Sequence, residues 1–246
     1  MSAPPHPDAF SPTRWTLVVA ARGDSEAARE ALSQLCAAYY APVVAFLRRD
    51  GRPDDEARDL AHGFFAHLLE GGRIDAAEQT RGRFRSYLLG ALKHFLQHQR
   101  RRDQTARRGG DALHIPIASP TDTSPGLDVP APENPALDHV FDRQWALTVL
   151  GRAMTTVGEE MERLGKRSHF EAMRPWLSGE VPGESHADLA ARLNLSPGAI
   201  KVAVHRLRQR FREQVLAEIA STVGGGEAEV REELNYLLTV VGSGER

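Results

Sequence analysis

The chain has 246 residues, of which 41% are hydrophobic and 26% are charged, a composition that excludes a disordered or fibrous polypeptide and indicates a folded globular protein. A single cysteine, Cys36, excludes an intrachain disulfide framework and a cysteine-rich zinc site. No apolar run approaches the roughly 20 residues of a membrane span, and the N-terminus lacks a secretory signal, so a cytoplasmic location without membrane contact is expected.

The formal net charge of −2 averages over segments of opposite sign. Basic residues concentrate from Arg81 to Arg108 and again from Lys201 to Arg212, whereas acidic residues dominate from Asp111 to Asp142 and in the tail after Glu213. Because a phosphate backbone requires local positive potential, the two basic segments are candidates for nucleic-acid binding despite the negative total.

The first half of the chain carries helix signals and almost no strand signals. Apolar residues recur at intervals of three and four from Ala28 to Leu47, from Leu60 to Leu69 and from Tyr87 to Leu96, which predicts three helices. Pro42 is expected to kink the first helix or restart it. These signals predict a helical domain at 13–104, preceded by a disordered N-terminus at 1–12.

Between Arg107 and Pro135 the helical pattern breaks, and Pro, Gly, Ser, Thr and Asp dominate. A loop of this length is uncommon inside a compact domain, so it predicts a flexible, acidic, Pro-rich linker at 105–135. Helical periodicity resumes afterwards and predicts a second domain at 136–223, followed by an acidic C-terminal extension at 224–246. The predicted fold class is all-α, with two helical domains joined by this linker.

The second domain contains two helix starts close together, which predict a helix-turn-helix from Ser185 to Arg212. Ser185 can cap the first helix, and Ser196 followed by Pro197 can start the second. Asn194 tolerates the left-handed conformation that ends a helix sharply. In the second helix, apolar and basic residues occupy different faces: Ile200, Val204, Leu207 and Phe211 on one, Lys201, His205, Arg208 and Arg212 on the other. A helical hairpin with a solvated basic face is the alternative.

The segment from Asp188 to Arg208 resembles region 4 of bacterial RNA polymerase sigma factors of the sigma-70 family, extracytoplasmic-function (ECF) type. In that family the second helix reads the −35 promoter element. Val202 and Ala203 stand where many members have a polar residue and an arginine, which leaves the bases read open. The resemblance implies −35 DNA contacts from Ser196, Ala199, Lys201, Val202, His205, Arg206 and Arg208.

The first domain resembles region 2 of the same family, in the expected order along the chain. Asp54 to Phe65 is similar to region 2.2, which binds the clamp helices of the β′ subunit of RNA polymerase, although His62-Gly63 replaces the common Gln-Glu pair. The resemblance implies polymerase contacts from Asp55, Asp59, His62 and Phe65. Without the resemblance, a solvated face is the preferred interpretation of the polar members of this set.

The basic segment from Arg81 to Arg102 is similar to regions 2.3 and 2.4, which open the duplex and hold the −10 element. Opening requires cations for the displaced phosphates and a stacking surface for an unstacked base. Tyr87 is a candidate for stacking, but aromatic residues at helical spacing usually belong to the core, which is the favoured interpretation of Tyr87. The implied −10 DNA contacts are Arg81, Arg83, Arg85, Tyr87, Lys93, Arg100, Arg101 and Arg102.

The resemblance implies a sigma factor that binds core RNA polymerase through the β′ clamp helices and the β flap and directs promoter-specific initiation. No catalytic residue, metal or cofactor is expected: the histidines form no metal-binding motif beyond the spacing of His94 and His98, and no glycine-rich phosphate loop occurs. A polymerase-independent helix-turn-helix transcriptional regulator is the alternative function.

Two forms of regulation are compatible with the sequence. One is an anti-sigma factor. The other is self-inhibition by the C-terminal extension, with Glu229, Glu232 and Glu233 near the basic helix.

Overall fold

The computed structural model describes residues 26–70, 83–107, 134–178, 183, 185–223 and 226–243. These ranges contain nine helices and no strand, which confirms the all-α class. The helices are α1 (Glu26–Arg49), α2 (Asp54–Glu70), α3 (Phe84–Arg107), α4 (Pro135–Arg163), α5 (Arg167–Met173), α6 (Pro175–Ser178), α7 (His186–Arg192), α8 (Pro197–Ala220) and α9 (Glu227–Gly242). Residues 1–25 and most of the predicted linker lie outside the described ranges.

The chain divides into two compact units. The N-terminal unit comprises Met1–Trp145, Ser221–Gly224 and Gly242–Arg246, and the C-terminal unit comprises Ala146–Ala220 and Gly225–Val241. The division therefore falls inside α4, after Trp145, and the first turns of this helix belong to the N-terminal unit.

The core of the N-terminal unit is built from the apolar faces of α1, α2 and α3. The ring of Tyr39 on α1 meets that of Phe84 on α3 edge to face, with centroids 5.3 Å apart. Phe64 on α2 meets Phe95 on α3 in the same way at 5.7 Å. Such edge-to-face pairs add to the stabilisation from apolar burial.

Helix α1 runs through Pro42 as a single helix, so the expected restart does not occur. Proline removes one backbone donor and crowds the preceding turn. Here the residues on both sides are held in the core, since Tyr39 and Val43 are fully buried.

Three helices end on a residue in the left-handed region. Gly51 has φ 92°, Gly165 has φ 67° and Asn194 has φ 54°. In each case the next amide donates to a carbonyl five residues back, as Leu195 does to Ala190 at 2.9 Å. This is the Schellman arrangement, and it satisfies carbonyls that a helix end leaves unpaired.

The core of the C-terminal unit gathers side chains from α4 to α8. Its buried members are Val157, Phe170, Ala172, Met173, Trp176, Leu189, Ala190, Ile200, Val204 and Leu207. Gly158 lets α5 approach α4 closely, because a β-carbon there would lie 3.0 Å from the Phe170 ring. Helices α7 and α8 are thus fixed by a shared core.

Candidate nucleic-acid interface

The two helices of the predicted helix-turn-helix, α7 and α8, are each capped at the N-terminus by a serine. The Oγ of Ser185 accepts from the amide of Asp188 at 3.2 Å, and the Asp188 carboxylate accepts from the Ser185 amide at 2.9 Å. Hydrogen bonds from the Ser185 hydroxyl and amide lower the pKa of Asp188. At α8, the Oγ of Ser196 accepts from the amide of Ala199 at 3.2 Å. Both caps satisfy amides that a helix start leaves unpaired.

Helix α8 separates a buried face from an exposed one. Ile200, Val204 and Leu207 are buried, with exposed fractions of 5% or less. All of the predicted −35 residues are exposed: Ser196, Ala199, Lys201, Val202, His205, Arg206 and Arg208. Six of them lie on the exposed surface of α8 and Ser196 caps its start, while the opposite face of the helix is held by the core.

Two basic residues of α8, Arg208 and Arg210, bind other groups of the same chain. The Arg208 guanidinium donates to the carbonyl oxygen of Trp176, from Nε at 3.1 Å and Nη2 at 2.9 Å. Arg210 pairs with Glu160 at 2.6 Å and with Glu213 at 3.1 Å. The hydrogen bond from Arg210 lowers the pKa of Glu160, and the one to Glu160 raises the pKa of Arg210. Both arginines thus have a structural role.

Several predicted −10 cations on α3 are paired with carboxylates. Arg85 is buried and pairs with Asp142, so it is not exposed to DNA in this conformation, and its role as a DNA contact stays a prediction. Lys93 Nζ lies 2.7 Å from Asp138, and Arg100 Nη2 lies 2.6 Å from Asp50. The sequence analysis named none of these aspartates as partners, because the contacts join residues 45 to 57 positions apart.

The remaining predicted −10 residues fall on the surface of α3 or outside the described residues. Arg101 and Arg102 are exposed, and Arg83 and Tyr87 are partly buried. The Tyr87 ring stacks at 6.0 Å on that of Phe84, which is in the core. Arg81 is not among the described residues.

The predicted polymerase contacts on α2 divide between surface and core. Asp55, Asp59 and His62 are exposed and recur at intervals of four and three, so they share one face of the helix. The His62 ring stacks on Tyr40 at 5.3 Å. Phe65 is 7% exposed and packs beside Phe64, so this prediction is corrected: Phe65 is a core residue.

The chain matches the model of a known protein family. The family model for ECF sigma factors matches residues 13–217, which include α1 to α7 and most of α8. The chain belongs to the ECF sigma factor family. The sigma factors of this family act in transcription initiation with RNA polymerase and promoter DNA. No curated protein and no solved structure matches the chain.

The described residues of this sigma factor contain neither a membrane-spanning helix nor a metal-binding cluster. None of the described helices is long and apolar enough to span a membrane. In the same ranges, no three histidine, cysteine or carboxylate side chains lie close enough together to hold a metal ion. His94 and His98 therefore belong to no such group.

The C-terminal unit of the sigma factor has an apolar pocket between α4, α5 and α8. Its volume is about 510 Å³. Leu164 and Leu195 line it with exposed fractions of 67% and 39%, unusual values for leucine. The other apolar residues that line it are Val157, Met161, Met173, Ala203 and Leu207. The sequence analysis missed this pocket because Leu164 and Leu195 lie at helix ends, where periodicity does not assign a face.

A second, larger groove of about 1190 Å³ lies between α8 and α9 of the sigma factor. His205, Arg208 and Arg212 line it from α8, and Arg231 and Glu227 line it from α9. The acids expected beside the basic helix are placed differently: Glu229 and Glu232 are exposed and do not line the groove, and Glu233 is buried. Self-inhibition by the extension stays a prediction.

Proposed function

We propose that this sigma factor recognises promoters with both units and binds core polymerase through two separate surfaces. The C-terminal unit reads the −35 element, and the N-terminal unit opens and holds the −10 element. The observation that carries the proposal is the division of α8 into a core face and an exposed face with all of the predicted −35 residues.

For −35 recognition, the first half of α8 enters the major groove. In helix-turn-helix proteins the N-terminal residues of the second helix contact base edges. Lys201, His205 and Arg206 supply hydrogen-bond donors for phosphates or base acceptors. Val202 is apolar and 50% exposed, so it suits a thymine methyl group. Ser196 and Arg208 act by holding the helix in place.

For −10 recognition, one stripe of α3 faces away from the core. Arg83, Tyr87, His94 and Arg101 recur at intervals of four and seven, which places them on one side of the helix. The arginines hold displaced phosphates, and the partly exposed Tyr87 ring supports an unstacked base. Arg102, which is exposed on α3, adds a further cation, and Arg81 stays a predicted contact outside the described residues.

Polymerase binding uses α2 and the apolar pocket. The exposed face with Asp55, Asp59 and His62 contacts the β′ clamp helices. The pocket takes an apolar segment of the β flap, because exposed Leu164 and Leu195 would lose water contact there.

Transcription by sigma-free core polymerase tests the proposal. Adding the purified chain and a promoter library is expected to yield transcripts from a defined promoter class. Lys201→Ala is expected to reduce these transcripts at least tenfold, whereas Arg174→Ala, which removes an exposed cation from the end of α5, leaves them unchanged. DNA binding without polymerase, combined with no promoter-specific transcript, would instead establish the polymerase-independent regulator.

The pocket is tested separately by affinity for core polymerase. Leu164→Glu is expected to weaken binding at least fivefold. Leu238→Glu is the matched control, since Leu238 on α9 is 62% exposed and lies outside the pocket. Equal effects of the two variants would remove the pocket from the polymerase interface.

A further inference from the structure

The start of α4, residues 135–145, packs on α3 within the N-terminal unit. Phe141 and Trp145 are fully buried there. Asp138 and Asp142, one helical turn apart, reach two cations of α3: Lys93 lies 2.7 Å from Asp138, and Arg85 pairs with Asp142. The guanidinium carbon of Arg85 also lies 5.3 Å from the centre of the Trp145 ring.

The two cations held in this way are members of the predicted −10 DNA contacts. Carboxylates and phosphates use the same chemistry toward lysine and arginine, namely short charge-assisted hydrogen bonds. A carboxylate on Lys93 or Arg85 therefore occupies the place that a DNA phosphate would need.

The burial of the Arg85 pair limits what can take the place of Asp142. Removing two charges from water costs about as much as their attraction returns, so a buried ion pair contributes little net stability. Leaving one partner unpaired is strongly unfavourable. Arg85 must therefore keep an anionic partner, but phosphate meets that need as well as Asp142 does.

We propose that the start of α4 is a latch on the −10-binding helix. In the free chain Asp138 and Asp142 hold Lys93 and Arg85, and the latch leaves α3 when single-stranded −10 DNA binds. This inference rests on the proposed role of α3 in −10 binding. It makes the free chain a poor DNA binder until the cations are released.

Binding of the full chain to a labelled single-stranded DNA of mixed sequence tests the latch without polymerase. Asp138→Asn is the primary variant, because the Lys93 pair is partly exposed and the Arg85 pair remains intact. It is expected to bind several-fold more tightly than the wild type. The slope of log affinity against log salt should steepen by about 0.7, the value for one additional phosphate contact on a single strand.

Glu159→Gln is the matched control for net charge. It removes the same charge from an exposed position on the same helix. If both variants tighten binding equally, or if Asp138→Asn leaves the salt slope unchanged, Asp138 does not restrain Lys93 and the latch is overturned.

Fluorescence of Trp145 tests the movement directly. In the Trp15→Phe, Trp176→Phe background, Trp145 is the remaining tryptophan. Its quenching by acrylamide is expected to be weak in the free chain and to increase at least twofold when the single-stranded DNA binds. A bound complex in which Trp145 stays shielded would show that the contact is a permanent part of the core.

The latch and the proposed function fail in different ways. If no promoter-specific transcript forms with core polymerase, promoter recognition fails whatever the salt slopes show. If transcripts form while Asp138→Asn behaves as Glu159→Gln does and Trp145 stays shielded, the latch alone fails.

Discussion

The guanidinium group of Arg208 on α8 is fastened to the carbonyl oxygen of Trp176 on α6 by two hydrogen bonds, at 3.1 and 2.9 Å. Helix α6 spans only Pro175–Ser178, so this carbonyl belongs to the last turn of a helix, whose carbonyls have no intrahelical donors. Arg208 therefore satisfies a helix-end acceptor and fixes α8 against the rest of the C-terminal unit.

Arg208→Ala is accordingly expected to destabilise the C-terminal unit. The net loss from the missing hydrogen bonds is about 1 kcal/mol, measured as a lower urea midpoint. Arg212→Ala is the control, since Arg212 is an exposed arginine one turn further along α8 and lines the same groove. Equal midpoints for the two variants would show that the Trp176 contact contributes nothing.

The cap of α8 gives a second stability prediction. Ser196→Ala removes the acceptor for the Ala199 amide and should cost about 1 kcal/mol. Ser196→Thr retains a hydroxyl acceptor and should stay within a few tenths of a kcal/mol of the wild type. Thermal unfolding of the three proteins checks this, and an unaltered Ser196→Ala midpoint would contradict the cap.

The turn between α7 and α8 offers a matched pair at Asn194. Its φ of 54° is strained for a residue with a β-carbon but relaxed for glycine. Asn194→Ala is expected to lose about 1 kcal/mol, because alanine lacks the polar side chain that eases this conformation. Asn194→Gly should match or exceed the wild-type stability. Urea unfolding would refute the argument if both variants lost stability equally.

The sequence predicted those parts of the fold that depend on local pattern. The two faces of α8 follow from the helical period. The left-handed backbone conformation of Asn194 follows from its place at a helix end, between two short apolar runs. The exposed face of α2 with Asp55 and Asp59 was predictable for the same reason, although its role in polymerase binding is still a proposal.

Pairing across the chain was not predictable. Arg85 reads as a DNA contact because it sits in a basic segment, and only its distant partner Asp142 turns it into a buried residue. Local periodicity carries no information about that partner. Phe65 was assigned to the polymerase surface by the family resemblance alone, whereas the helical period places it with Ala61 and Leu68 on the buried face of α2.

The single cysteine permits a chemical test of burial in α1. Desolvation raises the pKa of Cys36 from 9.0 to about 11. Since the thiolate is the reacting form, alkylation by iodoacetamide at pH 8 should be roughly 100-fold slower in the native chain than in urea. The raised pKa also stabilises the fold below pH 9, and this contribution disappears as the pH rises toward 11. Cys36→Ser provides the blank, and equal native and unfolded rates would contradict the burial.

The pair of Glu160 on α4 and Arg210 on α8 predicts a dependence of stability on acid. The Arg210 hydrogen bond lowers the pKa of Glu160, so the pair contributes fully above the ordinary value of 4.5 and is lost as the pH falls through the lowered one. Because Arg210 is 45% exposed, the contribution is about 0.5 kcal/mol.

Urea unfolding of the wild type, Glu160→Gln, Arg210→Gln and the double variant at pH 7 and at pH 3 measures that coupling. The cycle isolates the interaction energy from the other effects of each substitution, including the loss of the Arg210 contact with Glu213. We expect a positive coupling at pH 7 that shrinks at pH 3. A coupling that is the same at both pH values would mean that the interaction between the two side chains does not depend on the charge of Glu160.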